Sequence, residues 1–165
     1  RIMRHWKTCQ GPRFYGTDYN PVLIDWCQKN LGDFAQFNTN QLNQPLEYED
    51  GFFDFIYVFS VFTHLTEDLQ HAWIRELGRV LKAGGLLLIT VHGCSRLVVL
   101  SPEEQSKFLA GQLVMKQEAA VGTNICGSYH PENYVRNHLA KSFEVVDFMD
   151  AGARDLNQDI YLLRK

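Results

Sequence analysis

This chain of 165 residues lacks most of the features that narrow a function quickly. Its 16 Lys and Arg nearly balance 19 Asp and Glu, for a net charge of −3. No basic run or acidic tail breaks that balance, so electrostatics favour neither nucleic acid nor an anionic membrane as partner. The four cysteines, Cys9, Cys27, Cys94 and Cys126, stand far apart and form no CxxC pair, which leaves zinc without its usual ligand spacing. Free, mostly buried thiols in a reducing cytosol are the expectation. Six histidines occur without HExxH or other ligand spacing, and no metal is expected. The longest apolar runs are strand-sized, far short of a membrane span. No low-complexity segment or signal peptide stands out, and a cytoplasmic protein is expected.

What remains is a composition with 45% apolar and 21% charged residues, suited to one domain over residues 1–165 with a sizeable core. Helix and strand patterns alternate. Ile2 to Cys9 has helical spacing, and Gly11-Pro12 ends it. Arg13 to Thr17 is a short strand that stops at Asp18. Asn20 caps the next helix, Pro21 takes its first position, and Val22, Leu23, Trp26 and Cys27 form its apolar face. Gly32 marks its end. Asp33 to Asn38 is a second strand, followed by a polar loop to Gly51. Phe52 to Phe59 and Leu86 to Val91 are apolar on both faces, as central parallel strands are. Between them Thr66 caps a helix to about Leu81, with Leu69, Trp73, Leu77 and Val80 as its buried stripe.

After His92-Gly93 the pattern loosens. Ser101-Pro102-Glu103-Glu104 is a strong helix start. Met115 to His130 has no clear period, and Pro131 opens a helix to about Ser142. Phe143 to Met149 and Asp159 to Leu163 are two final strands. With only a loop between them, they pair antiparallel or lie apart. Alternation of this kind predicts a doubly wound α/β sheet. Ligands of such sheets bind beyond the carboxyl ends of the strands. The candidates there are Asp18, Asn38 to Gln41, Ser60 with its neighbours, and His92.

The order RFYGTD, FNTNQL, DGFFDFIYVFSVFTHL, LGRVLKAGGLLLITVHG resembles the class I S-adenosylmethionine-dependent methyltransferases, and within them small bacterial members with a Ser-Val-Phe-Thr-His-Leu turn after the fourth strand. SYHPENYVRNHL and NQDIYLLRK resemble the end of such domains. The resemblance covers nearly the whole chain and implies a Rossmann-like, mostly parallel sheet with an antiparallel C-terminal strand. One departure stands out. The family's first strand and its D-x-G-x-G-x-G loop have no counterpart, and Arg1-Ile2-Met3-Arg4 resembles the helix that follows that loop. An N-terminally truncated domain is the expectation.

The resemblance and the strand-end rule then give each candidate a role. Asp18, with Tyr19 beside it, is expected to accept the ribose hydroxyls of S-adenosylmethionine. Asn40 and Gln41 are expected at the adenine edge, where an amide can both donate and accept. Phe59, Ser60 and Val61 are expected to face the sulfonium and methionine chain, the small Ser60 leaving space. His64 and Tyr129 are candidate substrate contacts. His92 and His130 are candidate proton acceptors, since imidazole titrates near neutrality. Asp54, at the opposite end of its strand, is read as a turn residue. Residues 94–130 are the expected lid and substrate selector, with Phe108, Leu113, Val114, Met115 and Tyr129 suggesting a small, partly apolar acceptor. The expected reaction is methyl transfer to an O, N or C nucleophile of a small molecule. Two other classes share the fold: a non-catalytic Rossmann-like module, and a nicotinamide-dependent oxidoreductase, for which no GxGxxG loop or Tyr-Lys donor is found.

Overall fold

The computed structural model describes residues 2–43 and 45–165; Arg1, which opens the RIMR segment, and Gln44, in the polar loop, lie outside it. The chain divides into two compact units, Arg1–Glu47 and Tyr48–Lys165, so the single domain expected over 1–165 is described as two.

In the first unit the N-terminal segment forms one 3-10 turn, Met3–Trp6, shorter than the helix expected over 2–9. Strand β1 (Phe14–Asp18) and strand β2 (Ala35–Thr39) pair in parallel, from Phe14 opposite Ala35 to Asp18 opposite Thr39. Helix α1 (Pro21–Leu31) makes the crossover. Its start follows the sequence: Asn20 Oδ1 accepts the Val22 N–H at 3.0 Å, and Pro21 sits where no N–H is needed. Its expected apolar face is a correction. Val22, Leu23 and Trp26 are 72%, 53% and 57% exposed, while Ile24 and Leu31 are buried with Met3, Ala35 and Phe37. The reason is an amide. Gln28 Nε2 donates to Phe37 O at 3.0 Å, and Gln28 shares a face with Ile24 and Leu31 at helical spacing. That bond sets the roll of α1 against β2.

The second unit has strands β3 (Phe53–Val58) and β4 (Leu81–Val91) in parallel, linked by helix α2 (Glu67–Val80). Helix α3 (Pro102–Leu109) follows, then a small pair of antiparallel strands, β5 (Val114–Lys116) and β6 (Gly127–Tyr129). A short helix α4 (Glu132–Tyr134) runs into a π-turn, Val135–Leu139. Strands β7 (Glu144–Ala153) and β8 (Gln158–Arg164) close the unit. The order β3-β4-β8-β7 is parallel at its first pair and antiparallel at the other two, so the last two strands do pair. Leu87, Ile89 and Val91 of β4 are fully buried with Phe62, Ile74, Leu77, Val135, Leu139, Tyr161 and Leu163.

Helix α2 repeats the lesson of α1. Thr66 takes the cap position, but its side chain makes no cap bond, and the buried face is Gln70, Ile74, Leu77 and Val80 rather than one led by Leu69 and Trp73. Gln70 Nε2 donates to Leu65 O at 2.9 Å and turns the helix inward on that face. Helix α3 has the capping box expected of Ser101 and Glu104. Asp54 pairs with Lys82 at 2.6 Å on the exposed end of β3, as suits a turn residue. The four thiols are free, but only Cys126 is buried, and Cys9 and Cys94 are exposed. Among the described residues no helix is long and apolar enough to cross a membrane.

Tyr161 is fully buried, and its Oη has no hydrogen-bond partner among the described residues. Its ring packs on Phe148 at 4.7 Å between centroids. A buried hydroxyl without a partner costs stability, and Phe keeps the ring contact, so Tyr161→Phe is expected to raise stability by about 1 kcal/mol. Leu87→Ala, in the same core, is expected to cost about 2–5 kcal/mol. Urea denaturation of both variants tests this; a destabilised Tyr161→Phe would reveal a partner for the hydroxyl.

Candidate active site

In the first unit the carboxyl ends of β1 and β2 bring Asp18 and Asn40 together. Asn40 N–H donates to Asp18 O at 3.1 Å. Asp18 Oδ1 accepts the Asn20 N–H at 2.8 Å, which uses one of its two oxygens. Asp18 is half-buried, and Tyr19 beside it is 47% exposed. A carboxylate held this way keeps acceptor capacity for a ligand. Asn40 differs. Its Oδ1 accepts from Thr17 Oγ1 at 2.8 Å and its Nδ2 donates to Gln41 O at 2.6 Å, so its amide is engaged within the unit. Gln41 has an exposed side chain. A hollow of about 270 Å³ lined by Arg13, Phe14, Asp33 and Phe34 lies at the opposite ends of these strands and has no part in this arrangement.

In the second unit β3 ends at Val58, and Phe59, Ser60 and Val61 lead into a 3-10 turn, Phe62–His64. Ser60 has φ of 56°, a left-handed conformation that costs a non-glycine residue about 1 kcal/mol. Its N–H donates to Thr90 Oγ1 on the neighbouring β4 at 2.8 Å. Phe59 is half-buried and Val61 is 45% exposed, at the mouth of the strand.

Four histidine and tyrosine side chains gather at this same end. His92 follows β4 and bridges to Tyr129 of β6, and His92 O accepts the His130 N–H at 2.7 Å. The His92 ring lies 5.2 Å from that of Tyr129 and 6.4 Å from that of His64. His64 Nδ1 donates to Cys126 O at 2.8 Å. His130 is fully buried, with Nε2 on Gln70 Oε1 at 2.9 Å. Because Gln70 Nε2 is committed to Leu65 O, its Oε1 faces His130, which puts the ring proton on Nε2. The Nδ1 atoms of both His92 and His130 are buried without a hydrogen-bond partner among the described residues. Ser128 Oγ also donates to Leu65 O, at 2.7 Å.

Sequence reading missed Thr90, Gln70, Ser128, Gln158 and Asp159, all buried at this end of the sheet. Asp159 Oδ1 accepts the Ala151 N–H at 3.0 Å. A Cβ on Gly93 would collide with the Asp159 carboxylate, so any larger residue after His92 requires that side chain to move. The apolar residues of the expected lid divide between two clusters. Phe108 and Val114 pack with Leu100, Leu97 and Tyr129 into a core of their own, and Leu113 joins the main core. Phe108 and Val114 are buried, while Leu113, Met115 and Tyr129 are half-buried. Among the described residues no three His, Cys, Asp or Glu side chains are placed to hold a metal ion.

A family model described as a methyltransferase domain matches residues 1–89, just over half of the chain. The chain is similar to a solved SAM-dependent methyltransferase of Methanosarcina mazei, with 20% identity over 92% of this chain and 81% of that one and a TM-score of 0.63. It is similar to an S-adenosylmethionine dependent methyltransferase of Mesorhizobium loti, with 14% identity, coverage of 99% and 86%, and a TM-score of 0.71. A third is the 1,6-didemethyltoxoflavin-N1-methyltransferase of Burkholderia thailandensis, solved with 1,6-didemethyltoxoflavin and S-adenosylhomocysteine, with 16% identity, coverage of 98% and 65%, and a TM-score of 0.67. At these identities the structures speak for the fold.

The buried histidines give the second unit a pH dependence of its own. Burial, and then the nearby Arg96 and His64, lower His92 to about 4; burial, and then His92, lower His130 to about 3. On unfolding each returns to about 6.5 and takes up a proton, so stability falls as pH drops below that value. Asp159 opposes this. Burial raises it to about 6, so the folded chain protonates it first and gains stability as pH falls from there toward 3.8. Two histidines against one carboxyl leave acid destabilising. We expect lower stability in urea at about pH 4.5 than at about pH 7, and a shallower dependence in His130→Gln, whose amide can still reach Gln70. Equal pH dependence in both proteins would mean His130 titrates normally in the fold.

Proposed function

We propose, from the premise that this chain belongs to the methyltransferase-domain family and is a class I S-adenosylmethionine-dependent methyltransferase, that its acceptor is an oxygen, nitrogen or carbon nucleophile on a small molecule. S-adenosylmethionine is the cofactor, and when bound it supplies a methyl group on a positive sulfur that is already a good leaving group. The protein then has three tasks: to bind, to orient and to keep water out.

The observation that carries the reading is His92. It stands at the carboxyl end of β4, at the level of the strained Ser60 turn of β3, half-buried with its ring near those of His64 and Tyr129. Lowered to about 4, its imidazole is neutral at physiological pH and can accept a proton from an acceptor hydroxyl or amine. His64 and Tyr129, whose rings flank it, are the proposed substrate contacts. His130 is enclosed and fixed by Gln70. We assign it the support of the His92 backbone through its N–H rather than proton transfer.

In the first unit Asp18 is the proposed ribose ligand, through its carboxylate oxygen not used by Asn20, with Tyr19 adjoining it. Gln41 is kept as the adenine contact. The Asn40 amide fits that role poorly, because both its polar atoms are engaged. Phe59, Ser60 and Val61 are the proposed neighbours of the methionine chain. A small-molecule acceptor is supported by the near-neutral charge of the chain and by the 1,6-didemethyltoxoflavin bound in the similar Burkholderia enzyme. Residues 94–130, which carry Tyr129, are the proposed substrate-selecting segment.

Titration of S-adenosylhomocysteine into the full-length protein tests the cofactor assignment. Asp18→Asn keeps the oxygen that accepts from Asn20 and removes the charge. It is expected to weaken binding by about tenfold, because charged acceptors make the stronger hydrogen bonds. Unchanged affinity in Asp18→Asn would remove Asp18 from the ribose site, and a wild-type protein that takes up no ligand would overturn the cofactor assignment itself.

A further inference from the structure

The geometry assigns Gln158 and Thr90 as positioning residues that hold the Ser60 turn in its left-handed form. The assignment rests on the methyl-transfer reading, in which that turn adjoins the cofactor. Four hydrogen-bonding groups on three adjacent strands form a closed ring. Ser60 N–H donates to Thr90 Oγ1 at 2.8 Å, Thr90 Oγ1 donates to Gln158 Oε1 at 2.7 Å, and Gln158 Nε2 donates to Ser60 Oγ at 2.8 Å. Ser60 Oγ also lies 3.3 Å from Thr63 Oγ1, which ties the ring to the following 3-10 turn. Thr90, Thr63 and Gln158 are at most 1% exposed.

The directions of the bonds are set by chemistry. An amide oxygen cannot donate, so the Thr90 hydroxyl proton points to Gln158, and its lone pair is left for the Ser60 N–H. Each member uses the group its neighbour needs. Removing one therefore leaves buried partners unsatisfied at both sides of the gap. Sheet order explains why these residues meet although Gln158 is 98 positions from Ser60. β8 lies beside β4 and antiparallel to it, so the first residue of β8 comes to the end of the sheet where β3 and β4 stop.

A left-handed serine needs such a frame. The β3 turn could be made without strain by glycine, and Ser60 persists in it while its N–H and Oγ are both held. The hydroxyl is thus not a catalytic group in this arrangement. It is the handle by which Gln158 fixes the backbone from Phe59 to Val61.

The test uses the full-length protein, S-adenosylhomocysteine titration and thermal unfolding on Thr90→Val, Thr90→Ser and Gln158→Met. Thr90→Val keeps the shape and loses the hydroxyl, and Thr90→Ser keeps the hydroxyl. We expect Thr90→Val and Gln158→Met to bind about tenfold more weakly, with Thr90→Ser within about threefold of the wild type. Lower melting temperatures with unchanged affinity in folded Thr90→Val and Gln158→Met would overturn the positioning role and leave the ring a stabilising network. A loss of affinity in Thr90→Ser equal to that in Thr90→Val would also overturn it, since the hydroxyl would then be irrelevant. A wild-type protein that does not bind is a different result: it brings down the cofactor assignment, and this inference with it.

Discussion

Strand β4 is the constraint on which the second unit depends. It is hydrogen-bonded on both edges, to β3 in parallel and to β8 in antiparallel, and Leu87, Ile89 and Val91 are wholly buried. A strand covered on every side cannot shift its register without exposing its apolar residues or losing its bonds. Whatever follows Val91 is therefore delivered to a fixed place. Thr90, His92 and Gly93 owe their positions to that rigidity, and each meets a residue of β8 or β6: Gln158, Tyr129 and Asp159.

Polar burial in this unit is concentrated at that end. Of the buried polar side chains, Thr63, Gln70, Thr90, Ser128, His130, Gln158 and Asp159 all connect to the turns after β3 and β4 or to the segments packed on them. Glu76 is the exception, and it pairs with Arg79, which also holds Asp50 and Tyr48 O. Burying so many polar groups away from water is costly unless they bond to one another. Most of them do. Among the described residues, the buried atoms left without a partner include Nδ1 of both His92 and His130, at the same end of the sheet.

The elements were legible because their signals are local. Asn20-Pro21 and Ser101-Pro102-Glu103-Glu104 declare helix starts through bonds spanning two or three residues, and the two-sided apolar run of β4 marks a covered strand, whereas β3, read the same way, ends its sheet with Asp54 and Phe55 exposed. The carboxyl ends of β1, β3 and β4 named Asp18, Ser60 and His92. The inward faces of α1 and α2 were misread for one shared reason. In each, a glutamine, the exposed Gln28 in one and the buried Gln70 in the other, spends its amide on a backbone carbonyl, and an apolar count treats an amide as surface. Asn40 and the Gln158 ring were hidden for a related reason. Which partner an amide selects across 23 or 98 positions is decided by sheet order and register, and neither leaves a periodic trace in the chain.

Burial also separates two histidines that the sequence treats alike. Both have an unpaired Nδ1, and both are held neutral. His130, however, is fully buried and bonded to Gln70, so any proton it accepted would create a cation away from bulk solvent. His92 retains partial exposure and sits after the last residue of β4, between the rings of His64 and Tyr129. A proton taken there has a route to solvent. Neutrality is a condition for acting as a base, but access decides which neutral imidazole can act. Depth in the fold thus separates the enclosed His130 from the half-buried His92.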